Sequence, residues 1–263
     1  MPRFARAVLG GTFDHLHVGH EALLATAFRL GRTVAIGVTT DAYLASHPKP
    51  GRGRIQPFAV RRRALARWLE RTFPGHPFEV RPLENRFGGS VERGVSVLVV
   101  SADTVEGGRA VNQERRRRGV REVPVAVVPL VLADDLRPLS SRRIRAGEVD
   151  RNGRRRADLP IRLDVGDRRD VPWATGAIRS VFPRAQFRFR SSSPSNDGAR
   201  PPGPAVAPPD GLAISVVRRA GGGWAVRISS DRIHLPARVL DDATPARLRL
   251  GLAQMLRPAS RGA

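Results

Sequence analysis

Hydrophobic and polar residues follow two alternating patterns along the first part of the chain, up to Asp150. Short apolar runs that are rich in β-branched residues and bounded by polar or glycine residues are typical of strands buried on both faces. Such runs predict strands at residues 5–9, 33–38, 78–81, 97–100 and 123–128. Apolar residues spaced three and four apart predict helices at residues 18–30, 58–72, 104–119 and 140–146. This alternation predicts an α/β fold, a Rossmann-like parallel sheet with helices on both faces.

The pattern changes after Asp150. Residues 154–160 predict a linker between a first domain at 1–153 and a second, smaller α/β domain at 161–263. The elements predicted in the second domain are a strand at 161–165, a helix at 172–182, a hairpin with strands at 214–217 and 224–228, and a terminal amphipathic helix at 245–256. Residues 191–211 are rich in Ser, Pro and Gly, which predicts a flexible segment.

The composition narrows the class of protein. The chain of 263 residues has a formal net charge of +22 and no cysteine. The lack of cysteine excludes disulfides, thiolate catalysis and zinc sites with cysteine ligands. No apolar run approaches the ~20 residues of a membrane helix, and the N-terminus lacks a signal-peptide pattern. We therefore expect a cytoplasmic protein without a membrane partner and with only non-specific, charge-driven contacts with nucleic acid. The sequence leaves the oligomeric state open, with a monomer as the favoured state.

One string between the first strand and the first helix indicates a phosphate site. Residues Gly10–His20 read GGTFDHLHVGH. A strand, a glycine turn and a helix start direct backbone N–H groups and a helix dipole at one point, which suits a phosphate. His17 and His20 lie three residues apart on one face of the first helical turn, and Gly19 leaves room for a ligand. We expect the helix dipole to lower the histidine pKa values, which favours hydrogen-bond donors, and Thr12 to hold a second phosphate.

A second string indicates another anion site. Residues 139–145 read LSSRRIR, in which Ser140 and Ser141 are good helix N-caps and arginines follow at once. Between the two strings, residues 97–119 read VLVVSADTVEGGRAVNQERRRRG, an apolar strand followed by a helix. Lys49, in a Pro- and Gly-rich loop, is the only lysine of the chain. A compact ammonium differs from the planar guanidinium of arginine, so this position is a candidate for function.

These strings resemble a known superfamily. GTFDHLHVGH resembles the HxGH signature of the nucleotidyltransferases, whose two histidines contact nucleotide phosphates. LSSRRIR resembles the ISSTRIR motif that grips the triphosphate, with Arg142 in place of the usual Thr. From Phe4 to about Gly153, and above all at residues 97–119, the chain resembles the archaeal branch of pantetheine-phosphate adenylyltransferase.

The resemblance implies a reaction and a set of site residues. The reaction joins the adenylyl group of ATP to 4′-phosphopantetheine and yields dephospho-CoA and pyrophosphate, with Mg²⁺ bound to ATP and no protein metal site. The implied catalytic residues are His17, His20 and Lys49, and the implied substrate-binding residues are Thr12, Lys49 and Arg61. The nucleotide-binding residues are expected to be Gly10, Gly11, Thr12, Phe13, His17, Gly19, His20, Ser101, Arg115, Ser140, Ser141 and Arg145, with loop support as the alternative role of Ser101 and Arg115.

The second domain resembles nucleoside-triphosphate phosphatases that act on inosine and xanthosine triphosphates. Their VGS-N--K turn is absent, because Asp167, Arg168 and Arg169 follow Gly166 and the second domain contains no lysine. A metal-dependent phosphatase needs clustered carboxylates, and the sequence shows no such cluster. Our hypothesis is a catalytically inactive remnant.

Two alternatives remain open at this point. The first is another HxGH enzyme, of the flavin adenylyl or cytidylyl type, against which residues 97–119 argue. The second is a non-enzymatic, basic nucleic-acid-binding protein that carries a nucleotide fold. The low aromatic content of 5% argues against single-strand binding by base stacking.

Overall fold

The structure is a computed structural model that describes residues 2–47, 55–156, 158–190, 207, 211–218, 224–230 and 238–240. The chain divides into two compact units. The N-terminal unit comprises residues 1–131 and 139–147, and the C-terminal unit comprises residues 132–138 and 148–263.

The N-terminal unit is built on a five-stranded parallel sheet of order β3-β2-β1-β4-β5. Its strands are β1 (Phe4–Gly11), β2 (Gly31–Thr39), β3 (Phe78–Leu83), β4 (Val97–Ser101) and β5 (Val125–Val128). Its helices are α1 (Val18–Leu30), α2 (Asp41–Ser46), α3 (Phe58–Thr72), α4 (Val105–Arg117) and α5 (Ser141–Arg145), with 3₁₀ turns at Gly88–Val91 and Ala102–Thr104. The predicted Rossmann-like α/β class is confirmed.

Side chains of the strands alternate between the two faces of the sheet and form a hydrophobic layer on each face. On one face, Leu9 and Ile36 pack with Leu24 of α1 and Leu65 of α3. On the other face, strand residues such as Val8 pack towards α4. Because the strands are parallel, their carboxyl ends lie at one edge, where open α/β sheets bind ligands.

A glycine closes the join between α1 and β2. The helix ends at Leu30 and the strand begins at Gly31 without an intervening loop. A Cβ atom at Gly31 would lie 2.7 Å from both the Cβ of Ala7 and the backbone oxygen of Thr33. Only glycine allows this close approach of the chain to β1.

The sequence pattern predicted α1 and α3 with the observed bounds, but it missed α2. That helix has six residues, too few for a hydrophobic period, and is fixed by the side chain of Thr40, which accepts from the backbone N–H of Tyr43 (3.2 Å). The pattern also began β5 two residues too early. The amide of Asn112 bonds both the N–H (3.1 Å) and the carbonyl (2.8 Å) of Val123, so this residue pairs with α4 instead of β4.

The C-terminal unit contains a mixed sheet of order β10-β9-β8-β6-β7. Its elements are β6 (Leu159–Val165), α6 (Val171–Val181), β7 (Ala185–Arg190), β8 (Leu212–Arg218), β9 (Trp224–Ser229) and β10 (Arg238–Leu240). Strand β6 runs parallel to β7 and β8, whereas β8 and β9 form the predicted antiparallel hairpin. The second α/β unit is confirmed, and β7 was missed. Most of the predicted flexible segment at 191–211 and the whole predicted helix at 245–256 lie outside the described residues.

The boundary between the two units lies at different residues from those predicted. The division falls at Gly147, not at residue 153, and β6 already includes Leu159 and Pro160 of the predicted linker. Residues 132–138 belong to the C-terminal unit, where Leu136 is 1% exposed within the hydrophobic core. The sequence of this short loop mixes apolar and acidic residues, and it does not reveal which core receives Leu136.

Candidate active site

A cleft of about 780 Å³ opens at the carboxyl edge of the N-terminal sheet. Both predicted phosphate motifs line it. The predicted site residues along its wall are Gly10, Gly11, Thr12, Phe13, His17, Gly19, His20, Ser101, Ser140, Ser141 and Arg145. The structure therefore brings together residues that are up to 135 positions apart in the chain, from Gly10 to Arg145.

His17 is the N-cap of α1, and its orientation follows from that position. Its Nδ1 accepts a hydrogen bond from the backbone N–H of Gly19 (3.1 Å). In a neutral ring the proton must then be on Nε2, which leaves Nε2 as a donor. Burial lowers the pKa of His17 to about 4, although the carboxylate of Asp14 opposes the shift.

His20 stacks on His17, with ring centroids 3.8 Å apart. Burial is the main cause that lowers the pKa of His20 to about 3, and the neighbouring His17 adds to the shift. Its Nδ1 is buried and has no hydrogen-bond partner among the described residues. Both imidazoles are therefore neutral near pH 7. The expected direction of the pKa shifts agrees with this, but their principal cause is desolvation and not the helix dipole.

The turn between β1 and α1 is held in an uncommon conformation. Phe13 and His15 have φ values of 49° and 45°, in the left-handed region that non-glycine residues rarely adopt. The ring of Phe13 is buried, and a Cβ on Gly11 would approach it to 3.2 Å. The glycine and the buried ring together fix the path of the turn that carries Thr12.

Arg61 does not line the cleft, which corrects the prediction that it binds substrate. It is 0% exposed, and its guanidinium donates to the backbone oxygens of Thr12 (2.8 Å), Thr39 (2.8 Å) and Gln56 (2.7 Å) and to the carboxylate of Asp41 (2.8 Å). Its role is to hold the turn and not the ligand. The signal was present in the sequence, because Arg61 lies four and eight residues before two apolar positions of α3 and so falls on the buried stripe.

Arg115 is also buried and lies outside the cleft, so it does not contact a nucleotide there. It donates to the backbone oxygens of Ser90 (2.8 Å), Glu92 (2.9 Å) and Arg121 (2.8 Å). It thereby supports the 3₁₀ turn that forms part of the cleft wall, which is the loop-support alternative. Ser101 does line the cleft, and its hydroxyl donates to Asp103 (2.5 Å). Lys49 lies outside the described residues.

Asp14 is the functional residue that the sequence reading missed. It is 0% exposed, and its Oδ2 accepts from Nη1 of Arg145 (2.5 Å) while its Oδ1 accepts from the backbone N–H of Gln56 (3.0 Å). Its backbone oxygen accepts from the hydroxyl of Ser141 (2.6 Å). The signal available in the sequence was a single carboxylate, Asp14, within a string of residues that otherwise suits anion binding.

The opposite wall of the cleft comes from the loop after β3, which was also missed. The side chain of Asn85 accepts from the backbone N–H groups of Phe87 (3.0 Å) and Gly88 (2.8 Å), and Gly88 has φ of 47°. Leu83 packs across Gly10 and Gly37 on the sheet. Glycine at these two positions leaves room for the side chain of Leu83, which makes this part of the cleft apolar.

Within the described ranges, no group of three His, Asp or Glu residues is placed to hold a metal ion. None of the helices in those ranges has the length and apolar character that a membrane span requires.

Comparisons with known proteins agree with this geometry. A family model described as "Cytidylyltransferase-like" matches residues 8–147. A "Phosphopantetheine adenylyltransferase" of Methanopyrus kandleri is 42% identical over 151 residues, which cover 57% of this chain and 94% of that protein. One of Methanothermobacter thermautotrophicus is 40% identical over 152 residues, 57% of this chain and 89% of that protein.

A further relative has a longer match. A "Bifunctional phosphopantetheine adenylyltransferase/NTP phosphatase" of Thermoplasma acidophilum is 36% identical over 182 residues, which cover 68% of this chain and 54% of that protein. A match of this length exceeds the N-terminal unit and extends into the C-terminal one.

Proposed function

The chain belongs to the cytidylyltransferase-like family, and we propose that it transfers the adenylyl group of ATP to 4′-phosphopantetheine in coenzyme A synthesis. The observation that carries the proposal is that two phosphate-binding motifs, remote in sequence, share one cleft and are joined there by Asp14. The names of the archaeal relatives supply the acceptor.

In the proposed reaction, a phosphate oxygen of 4′-phosphopantetheine attacks the α-phosphorus of ATP. A new P–O bond forms, the bond from the α-phosphorus to the bridging β-oxygen breaks, and pyrophosphate leaves. No covalent bond to the protein is needed, so the protein contributes positioning and charge stabilisation. Neutral His17 and His20 suit this role, because each offers an N–H to phosphate oxygens as negative charge develops.

The remaining residues divide between the two substrates. Ser140, Ser141 and Arg145 hold the β- and γ-phosphates, while Thr12 and Lys49 hold the attacking phosphate. Magnesium enters with ATP and neutralises part of the triphosphate charge. A cytoplasmic location and a monomeric state stay predictions.

The shape of the cleft favours a long acceptor over a small one. Beyond the phosphate motifs its lining includes the apolar residues Val8, Ala35, Leu83, Leu98 and Val111 beside charged residues such as Arg81 and Glu92. A volume of about 780 Å³ with partly apolar walls suits ATP together with the uncharged arm of phosphopantetheine. Acceptors as small as glycerol phosphate would leave this apolar region in contact with water.

The proposal is tested by pyrophosphate release from purified full-length protein with ATP and Mg²⁺. We expect release only with 4′-phosphopantetheine, and not with flavin mononucleotide or glycerol 3-phosphate as the acceptor. His17→Ala should abolish it, whereas His76→Gln, outside the cleft, should not. Release with another acceptor, or none with 4′-phosphopantetheine, would contradict the proposed reaction. Addition of EDTA should stop release, and excess Mg²⁺ should restore it.

A further inference from the structure

The two phosphate motifs are joined by one buried carboxylate. Through its side chain, Asp14 binds Arg145 of α5 and the backbone of Gln56, and through its carbonyl it binds Ser141. The backbone N–H of His15 also donates to the side chain of Gln56 (3.3 Å), which strengthens the same junction. Asp14 thus holds three chain segments together at the base of the cleft.

The contact with Arg145 leaves part of the guanidinium without a partner. The side chain of Arg145 is 8% exposed, its Nη1 is used by Asp14, and its Nε is buried without a hydrogen-bond partner in the described part of the chain. Arg145 also lines the cleft. A buried donor without a partner destabilises the folded state, so a ligand oxygen that accepts from this guanidinium gains an interaction that the protein alone does not supply.

The guanidinium of Arg145 is planar, which links its contact with Asp14 to the direction of its other donors. Its donors form a rigid fork, so fixing Nη1 fixes the directions of all the other N–H groups. The carboxylate at 2.5 Å therefore decides where the remaining donors of Arg145 point. A lysine at this position offers a single nitrogen, which cannot be held by Asp14 and keep the same directed donors for a ligand.

The geometry points to Asp14 as a positioning residue for the nucleotide: by binding Nη1 of Arg145, it orients the remaining guanidinium donors towards the triphosphate of ATP. It acts through Arg145 and does not itself contact the ligand, since a carboxylate beside a phosphate would repel it. The assignment of ATP rests on the proposed function.

The first test is ATP binding without an acceptor, measured by titration calorimetry on the full-length chain with Mg²⁺ present. In Asp14→Asn the side chain has one acceptor oxygen, so it cannot serve both Gln56 and Arg145. We expect ATP affinity to fall about tenfold or more, the size of a lost charge-assisted hydrogen bond. The matched control is Asp167→Asn in the C-terminal unit, which removes the carboxylate partner of the exposed Arg169 and should leave ATP affinity within about twofold.

A structural role alone predicts a different result. If Asp14 only stabilises the fold, Asp14→Asn lowers the unfolding temperature while the folded protein binds ATP as the wild type does. That outcome would overturn the inference. In steady-state assays the positioning role predicts a raised KM for ATP with little change in KM for 4′-phosphopantetheine, whereas equal changes in both would contradict it.

A second variant keeps the inference open to contradiction if Asp14→Asn does not fold. Arg145→Lys keeps the charge beside Asp14, and we expect a folded protein by circular dichroism with ATP affinity again reduced about tenfold. Unchanged affinity would overturn the inference. If both variants fold, the double variant should bind no more weakly than the weaker single one, because both changes disrupt one interaction; losses that multiply would show that Asp14 acts independently.

The binding assay also separates this inference from the proposed function. If the wild type binds ATP but transfers nothing to 4′-phosphopantetheine, the proposed acceptor is wrong, while the comparison of the Asp14 and Arg145 variants still stands.

Discussion

At the scale of single residues, the cleft is built from side chains whose protonation and direction are set by their surroundings. Burial keeps His17 and His20 uncharged, and the N–H of Gly19 fixes which nitrogen of His17 carries the proton. Neutral hydrogen-bond donors suit a reaction in which negative charge develops on phosphate oxygens. They are poorly suited to act as acids or bases near pH 7, since their pKa values lie well below that pH.

His20→Ala removes one hydrogen-bond donor from the phosphate site. Donors of this kind contribute mainly to the transition state, so we expect kcat to fall about 100-fold or more while KM for either substrate changes far less. Steady-state kinetics on the full-length protein measure both parameters, with His76→Gln as the control. An unchanged kcat would show that His20 does not take part in the chemical step.

The low histidine pKa values also predict how stability depends on pH. In the unfolded chain these residues titrate near pH 6.5, so between that pH and about 4 for His17, or about 3 for His20, the unfolded state binds more protons. The free energy of unfolding is therefore highest above pH 6.5 and decreases as the pH falls through this window.

Thermal unfolding followed by circular dichroism at pH 7 and pH 4.5 measures this dependence. His20→Gln removes one of the two titrating groups, so its unfolding temperature should fall less between the two pH values than that of the wild type. An equal fall in both proteins would mean that His20 is not buried in its neutral form.

At the scale of helices and strands, short connecting loops bring the phosphate motifs to the cleft. Buried arginines hold loops of the cleft in place. The elements with clear hydrophobic periods, such as α1 and α3, could be predicted with their bounds. The roles of Arg61 and Arg115 could not, because both side chains bind backbone carbonyls of loops that are distant in sequence. The position of Arg61 on the apolar stripe of α3 indicates burial, but it does not identify the backbone oxygens that the guanidinium binds.

Two adjacent glycines in α4 give a test of the helix packing. A Cβ at Gly107 would meet no atom within 4 Å, whereas one at Gly108 would lie 3.0 Å from Cγ1 of Val125 and 3.3 Å from Cγ1 of Val100. Alanine is favoured over glycine in a helix by up to about 1 kcal/mol. Gly107→Ala should therefore raise the unfolding temperature and Gly108→Ala should lower it; the opposite order would contradict the packing of α4 on β4 and β5.

At the scale of the whole molecule, the chain combines a complete nucleotidyltransferase sheet with a second α/β unit of a different topology. Sequence patterns could predict both units, since each has strong apolar runs. They could not assign residues 132–138, because the contacts of this segment with residues 153–155 and with the second core exist only in the folded chain. They also could not identify the link from Asp14 to α5, which spans 131 positions and exists only in the folded chain.

The C-terminal unit gives the prediction that belongs to this scale. In the turn after β6, Asp167 accepts from the backbone of Arg169 and pairs with its guanidinium (2.7 Å), so this carboxylate is already engaged. We expect the full-length protein with Mg²⁺ to release no phosphate or pyrophosphate from inosine or xanthosine triphosphate. Magnesium-dependent release from either would refute the inactive-remnant hypothesis. The protein would then have two activities, like those in the name of the Thermoplasma relative.

The most direct test of the central claim is to identify the product by mass spectrometry after incubation of the full-length protein with ATP, Mg²⁺ and 4′-phosphopantetheine. The account predicts dephospho-CoA and pyrophosphate in equal amounts, with neither formed by His17→Ala. An absence of dephospho-CoA from wild-type protein that binds ATP would contradict it.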